Sequence, residues 1–293
     1  MASFTADAKA GAAAPVRRRG RRRSPFTSVG RLIAGSAFVL AALFPLAWTV
    51  ISGFKSRTEV VRTPFQFLPE VWRWENYQQI LTDPSFIRSL GVTFGGAVLF
   101  AALSLTINAM AAYAFARLEF DLKRTLWVIV ITTMFIPGMS ILLTSFIVVT
   151  RLRMLDTLAV LVLPGAASAA QVFFMRQFYL AVPVALEEAA FIDGAGRWKI
   201  FLHIFVPMSK PVFVVVGITQ FLAFWNSYVW PVMTITSPNL YQIQQYLATF
   251  RLERGSEWGL LMAGSALAAL PVILLFLVFQ RHIISGVKIS GLK

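Results

Sequence analysis

The chain has 293 residues, 57% of them hydrophobic and only 14% charged, where soluble domains run at roughly 25% charged. Its formal net charge is +14, and it holds two histidines and no cysteine. That balance excludes a water-soluble globule, a disulfide scaffold, a thiolate or multi-histidine metal site and a cysteine nucleophile, and leaves an integral membrane protein.

Residues 1–30 read as a basic, disordered tail. They lack hydrophobic periodicity and carry RRRGRRR at 17–23. Such a run could bind RNA or anionic lipid, but beside a first span it reads as a positive-inside anchor. Arg31 is followed by 23 uncharged residues, too long for the apolar region of a secretory signal peptide. Six uncharged runs follow along the chain, at 32–54, 89–116, 125–150, 157–175, 211–250 and 258–280. A helix needs about 20 apolar residues to cross the hydrocarbon core, so five runs fit one span each. The run at 211–250 turns polar after Met233. It divides into a span at 211–235 and an external loop at 236–257 with a short helix.

The first span and the external loop after it form one region, 31–85. The aromatics Phe65, Phe67, Trp72, Trp74 and Tyr77 suit a segment lying along the outer surface. Residues 86–281 form the membrane core, and 282–293 a short basic tail. Span two opens with Gly91, Gly95 and Gly96, small residues that let a helix pack closely inside a bundle. The link at 151–156 is short, so spans three and four are antiparallel. Pro137-Gly138, Pro164-Gly165, Pro231 and Pro271 interrupt or kink spans. No span contains a charged residue, which argues against a proton relay or an ion-coupled carrier. Six spans put both termini on one side, and that side holds 18 of the 27 lysines and arginines. Both termini are therefore expected in the cytoplasm.

The loop at 176–210 is the informative segment. Pro183 suits the first turn of a helix, with Glu187 and Glu188 near its positive end. Ala189 and Ala190 make a low patch, and Asp193-Gly194 and Gly196 end the helix. A second short helix, about 197–205, carries Arg197, Lys199 and His203, before Pro207 and Pro211. Two short helices with a sharp corner suit docking into a partner's groove. A scaffold that merely docks a soluble protein would look the same.

The loop also carries a spaced motif: Glu188-Ala189-Ala190, three residues, Gly194, nine residues, Ile204, one residue, Val206-Pro207. It resembles the E-A-A motif of permeases in binding-protein-dependent ABC importers, with valine in place of the usual leucine. The stretch from Glu187 to Pro211, the segment FLAFWNSYVWP at 221–231 and the tail QRHIISGVKISGLK at 280–293 resemble the carbohydrate branch. The likeness is to its six-span, maltose-type subunit, and it covers the chain from about residue 30.

The resemblance implies an all-α fold of six transmembrane helices, the type I ABC importer permease fold, with a cytoplasmic coupling helix. It implies a multi-pass protein of a prokaryotic cell membrane that imports a sugar or oligosaccharide; relatives carry polyol phosphates such as glycerol-3-phosphate. ATP and Mg would sit on a separate cytoplasmic ATPase dimer, since this chain has no phosphate-binding G-x-x-x-x-G-K-[ST] loop, and no cofactor, metal or catalytic residue is expected on this subunit. The other partners implied are a homologous second permease and an extracytoplasmic sugar-binding protein, with no nucleic acid. ATPase coupling would fall to Glu187, Glu188, Ala189, Ala190, Asp193, Gly194, Ile204 and Pro207, with Glu188 pairing to a basic residue of the ATPase. Trp225, Asn226 and Tyr228 are candidates for the substrate path, as rings and amides that suit sugars. Tyr241, Arg251 and Glu253 are candidates for contact with the binding protein.

Overall fold

The computed structural model describes residues 25–252 and 257–290, and every regular element among them is a helix. Residues 1–45 and 46–293 form two units. Helix α1 (Pro25–Ser52) begins inside the segment expected to be an irregular tail. The arginine run at 17–23 lies outside the described residues.

Beyond α1 come α2 (Arg57–Val60) and α3 (Trp74–Thr82), then the long α4 (Pro84–Arg117). The link after α1 is folded rather than slack. Ser56 and Glu59 close a reciprocal capping box on α2. Asn76 donates to the Gly53 and Lys55 carbonyls at 2.9 and 3.0 Å, and the Tyr77 hydroxyl to the Val50 carbonyl at 2.7 Å. Phe54 packs among Trp72, Trp74 and Tyr77. Both α2 and α3 lie on the last helix, so this segment joins the core, and a domain boundary at 86 would divide packed elements. Gly259 marks that contact: a Cβ there would collide with the Lys55 carbonyl oxygen.

The remaining elements are α5 (Lys123–Thr133), α6 (Leu142–Arg151), α7 (Leu158–Val162), α8 (Ala169–Leu180), α9 (Val184–Ile192), α10 (Arg197–Ile200), α11 (Val206–Met208), α12 (Lys210–Trp225), α13 (Val229–Thr234), α14 (Ile243–Leu252) and α15 (Trp258–Ser290). Three stretches are single helices long and apolar enough to cross a membrane: Leu32–Ser52, Pro84–Arg117 and Trp258–Arg281. Three further apolar helix pairs, each bent by more than 40°, bring the possible spans to six. The expected tail at 282–293 is helical through Ser290.

Three expected spans are broken. Span three bends by 99° between Thr133 and Gly138, where Pro137 lacks a donor. Span four, expected as one helix over 157–175, is α7 and α8 flanking Pro164-Gly165, with Gly165 at φ +82°. Span five stops at Trp225 and resumes at Val229. A break in a membrane helix frees backbone groups that protein must satisfy. For span four, Asn108 of α4 does this: its amide donates to the Ala166 carbonyl at 2.9 Å and accepts from the Ser168 amide at 2.9 Å. Ser104, Gln171 and Gln220 complete the knot, joining α4, α8 and α12.

Helix α4 is the centre of the bundle, packed chiefly on α8 and α12. Of the three glycines expected to pack closely, Gly96 does so. Gly91 and Gly95 face open space, whereas a Cβ on Gly96 would meet the Phe224 ring at 2.5 Å.

Within the segment expected as an external loop, residues 236–252 pack into the body of the protein. Gln242, Ile243, Gln245, Tyr246, Leu247 and Phe250 are buried. The Tyr246 hydroxyl donates to Asp83 at 2.7 Å, and the Ile243 amide to the Thr93 hydroxyl at 2.7 Å. The apolar positions of α14 supply the reason, since they pack on α4 and α15.

The short link between spans three and four is clasped to the end of span five. Asp156, at φ +57°, accepts from the Thr236 hydroxyl, the Ser237 amide (2.8 Å) and the Thr236 amide (2.7 Å). These bonds hold its carboxyl below its ordinary range. A depressed carboxyl stabilises above its unfolded pKa, about 3.9, and that contribution is lost as pH falls through the folded value. Protection of the Thr236 and Ser237 amides from hydrogen exchange, corrected for intrinsic rate, should therefore drop below about pH 4. In Asp156→Asn the same amides should show no such acid transition.

Candidate functional site

The loop between α8 and α12 is built around a buried ion pair. The chain leaves α8, turns at Pro183 and forms α9. Helix α9 ends in a complete Schellman motif: the Gly194 amide bonds the Phe191 carbonyl at 3.0 Å and the Ala195 amide bonds the Ala190 carbonyl at 2.9 Å. Gly194 sits at φ +76°, and a Cβ added there would meet nothing within 4 Å, so its role is conformational rather than steric. Gly194→Ala should cost roughly 1–2 kcal/mol, and Gly194→Asn clearly less, since asparagine tolerates the left-handed region. Thermal unfolding of the two variants checks the order; equal losses would contradict the assignment.

After Gly196, α10 leads into a π-helical turn over Phe201–Phe205, then α11. The direction changes by 78° before α12. Ile200, Phe201 and Phe205 are buried in a cluster with Tyr113 of α4 and Met175 and Tyr179 of α8. The loop is therefore seated on the ends of α4 and α8.

Arg117 closes that seat. Its Nε lies 3.1 Å from Glu187, with both side chains less than a tenth exposed. The contact is too oblique for a linear hydrogen bond, so the pair is held by charge. The same guanidinium donates to the Tyr179 carbonyl at 2.6 Å and to the Val182 carbonyl, and covers the Phe205 ring. Arg197 stands 3.9 Å from the second Glu187 oxygen and over the Phe191 ring. Tyr113 donates to the Arg197 carbonyl at 3.3 Å.

The expected coupling residues thus separate into two groups. Glu187 points into the chain, while Ala190 and Ile204 pack against the buried cluster. Glu188, Ala189, Asp193 and Gly194 are exposed, with Ile192 at 86% beside them, and Pro207 is exposed near the bend. Arg117, Tyr113 and Tyr179 carry no local signal in the sequence: Arg117 and Tyr113 lie tens of residues from α9, and only Arg117's place at the end of an uncharged run sets it apart.

The substrate-path candidates also divide. Trp225 is 2% exposed and stacks on Phe221, so it packs the core. Asn226 is exposed, and its amide donates to the Leu222 carbonyl at 3.0 Å. Tyr228 lines a cavity of about 580 Å³ with Gln244, Arg251, Trp258 and Ser265. That cavity brings together Tyr228 and Arg251, which were expected to serve different contacts. Tyr241 is half-buried against the core, and Glu253 lies outside the described residues. Among the described residues, no group of three or more His, Cys, Asp or Glu is placed to hold a metal ion.

Comparison with known proteins gives a consistent result. The family model described as binding-protein-dependent transport system inner membrane component matches residues 109–289. The arabinooligosaccharides transport system permease protein AraQ of Halalkalibacterium halodurans is 30% identical, over 93% of this chain and 99% of its own. The diacetylchitobiose uptake system permease protein NgcG of Streptomyces coelicolor is 31% identical, over 91% of this chain and 88% of its own. A chain of the crystal structure of a bacterial ABC transporter involved in import of the acidic polysaccharide alginate superposes with TM-score 0.76 at 23% identity, over 88% of this chain and 96% of that one. At that identity the likeness establishes the fold.

Proposed function

Because the chain belongs to the binding-protein-dependent transport system inner membrane components, with the type I ABC importer permease fold, we propose that it is the sugar-translocating permease subunit of an ATP-driven importer. Its cargo is a sugar or oligosaccharide delivered by an extracytoplasmic binding protein, as the names of its relatives suggest. Loop 176–210 docks a cytoplasmic ATPase dimer, which binds ATP and Mg. A homologous second permease completes the pathway. Both termini lie in the cytoplasm, in keeping with the lysine and arginine bias.

The observation that carries this reading is the construction of the loop. Arg117 and Glu187 lock α9 to α4 and α8, while Glu188, Ala189 and Ile192 are left facing outward. A helix held that way transmits displacement instead of absorbing it. Nucleotide binding can then switch the bundle, provided the ATP-bound dimer favours the outward-facing state by several kcal/mol. Glu188 pairs with a basic residue of the ATPase, the small side chain of Ala189 permits close approach, and Gly194 makes the corner. The Tyr228 cavity, with its ring, amide and hydroxyl groups, suits part of a sugar path.

A polyol-phosphate cargo is the second reading, favoured by Arg251 in that same cavity. Uptake by the reconstituted complex decides between them. Labelled arabino-oligosaccharide entering only with ATP, ATPase and binding protein present supports the proposal. Selective uptake of glycerol-3-phosphate supports the second reading. Uptake without any ATPase subunit would indicate an ion-coupled carrier, and none at all a scaffold.

A further inference from the structure

Arg124 and Arg176 are the first charges beside two uncharged runs, 125–150 and 157–175. The fold sets those two ends side by side: the Arg176 guanidinium lies 4.2 Å over the Trp127 ring, one turn along α5 from Arg124. Cations and indoles in that position mark the level at which a span leaves the hydrocarbon.

Arg176 is half-buried and fixed in orientation. Its Nε donates to the Phe115 carbonyl of α4 at 3.1 Å. The indole it covers is stacked in turn on Phe173 and packs on the Phe115 ring. What is left is the outer edge of the guanidinium. Among the described residues, neither Nη nitrogen has a hydrogen-bond partner, neither is shut off from the surface, and no carboxylate pairs with Arg176. In the turn before α5, Glu119 is taken by Lys123 at 3.0 Å, and Asp121 pairs with neither arginine. A partly buried cation without an anion is costly. Arg117, at the end of α4, has Glu187; Arg176 has no such partner in the described chain.

We propose that Arg176, seated on Trp127 and assisted by Arg124, binds the phosphate of an anionic phospholipid at the cytoplasmic boundary of the membrane. A guanidinium laid flat on a ring with its fork free is pre-organised for phosphate, which it grips through two parallel bonds. Arg124 is exposed three residues before Trp127, on the same face of α5, and adds a second cation. On the membrane side of the fork the surface turns apolar, with Phe173 and Phe174 at 40% and 48% exposed. A soluble phosphate has no use for those rings, whereas the acyl chains of a phospholipid lie along them. The lipid supplies the missing counter-charge at the root of the segment that leads from α8 into α9. This inference goes beyond the import reading and shares with it only the cytoplasmic placement of the α8 end.

The test places the complex, with ATPase, second permease and binding protein, in phosphatidylcholine proteoliposomes doped with phosphatidylglycerol that carries a diazirine on one acyl chain. After irradiation, peptide mass spectrometry of this chain should find the label on the segment holding Phe173 and Phe174. Diacylglycerol with the same diazirine lacks the phosphate and should label that segment about tenfold less, the size of a lost charge-assisted hydrogen bond. Arg176→Gln should bring phosphatidylglycerol down to the diacylglycerol level, and Arg176→Lys, a point charge without the fork, should fall between. Equal labelling by the two lipids overturns the phosphate site. Displacement of the phosphatidylglycerol label by inorganic phosphate alone gives the fork to a soluble anion and overturns the lipid. An unlabelled segment in a complex that imports sugar overturns the site and leaves the import reading standing; that is the outcome if an acidic side chain of a partner subunit fills the fork. If Arg176→Gln fails to assemble with the ATPase, the two lipids compared on the unaltered chain decide.

Discussion

Arg117→Ala is expected to destabilise the protein by about 3–5 kcal/mol, the cost of leaving a buried carboxylate without its counter-charge. Glu187 would be stranded at 5% exposure, with the half-exposed Arg197, 3.9 Å away, as its other cation. The carbonyls of Tyr179 and Val182 would lose the guanidinium as well. Thermal unfolding of the purified chain reads the loss. Arg117→Met combined with Glu187→Met should recover part of it, because removing both charges together avoids the stranded carboxylate. The recovery stays incomplete, since methionine cannot serve the two carbonyls. A midpoint unchanged by Arg117→Ala would show that the pair does not hold the loop.

Glu188→Lys should do the opposite: spare the fold and break the coupling. The side chain is exposed on α9 and joins neither of the ion pairs that Glu187 makes. Under the proposed coupling, reversing its charge would remove an attraction to the ATPase and add a repulsion. A disrupted charge pair at an interface costs about 2–5 kcal/mol, enough to lower uptake by tenfold or more. The variant should insert and unfold like the parent, yet lose the ATPase on co-purification. Wild-type recovery of the ATPase with normal uptake would remove Glu188 from the interface. Adjacent glutamates thus separate experimentally, one through stability and one through partnership.

That division is invisible in the sequence. Two glutamates side by side near a helix start look alike, and only the packing of α9 on α4 and α8 turns one inward. The spans are legible because an uncharged run of 20 residues has few places to go except hydrocarbon. The Schellman corner at Gly194 is legible because glycine after a short helix satisfies a local backbone demand. The helix breaks are half legible. Pro137-Gly138 and Pro164-Gly165 mark the weak points, but the separation of α7 from α8 depends on Asn108, 58 residues upstream of the carbonyl it holds. The packing of residues 236–252 into the protein escapes a sequence reading because its glutamines look like surface residues, and nothing local announces that Thr93 and Asp83 will receive that segment. Trp225 is ambiguous for a related reason: a ring there suits a sugar as well as it suits Phe221.

Helix α4 meets its polar partners in an order. Arg117 takes residues 179 to 187, Asn108 takes 166 to 171, Ser104 adds 220, Thr93 takes 243 and Asp83 takes 246. Those partners lie from 58 to 163 residues downstream, for the Ala166 and Tyr246 bonds. While the chain is being synthesised, α4 therefore precedes these partners, its Thr93 hydroxyl and Asn108 amide served within the helix by Ser89 and Ser104, and the long-range bonds are added broadly from its far end back toward its start. Biogenesis of this subunit resembles a zipper drawn along one helix. A polypeptide stopped before residue 240 would leave the Thr93 and Asp83 teeth without Ile243 and Tyr246.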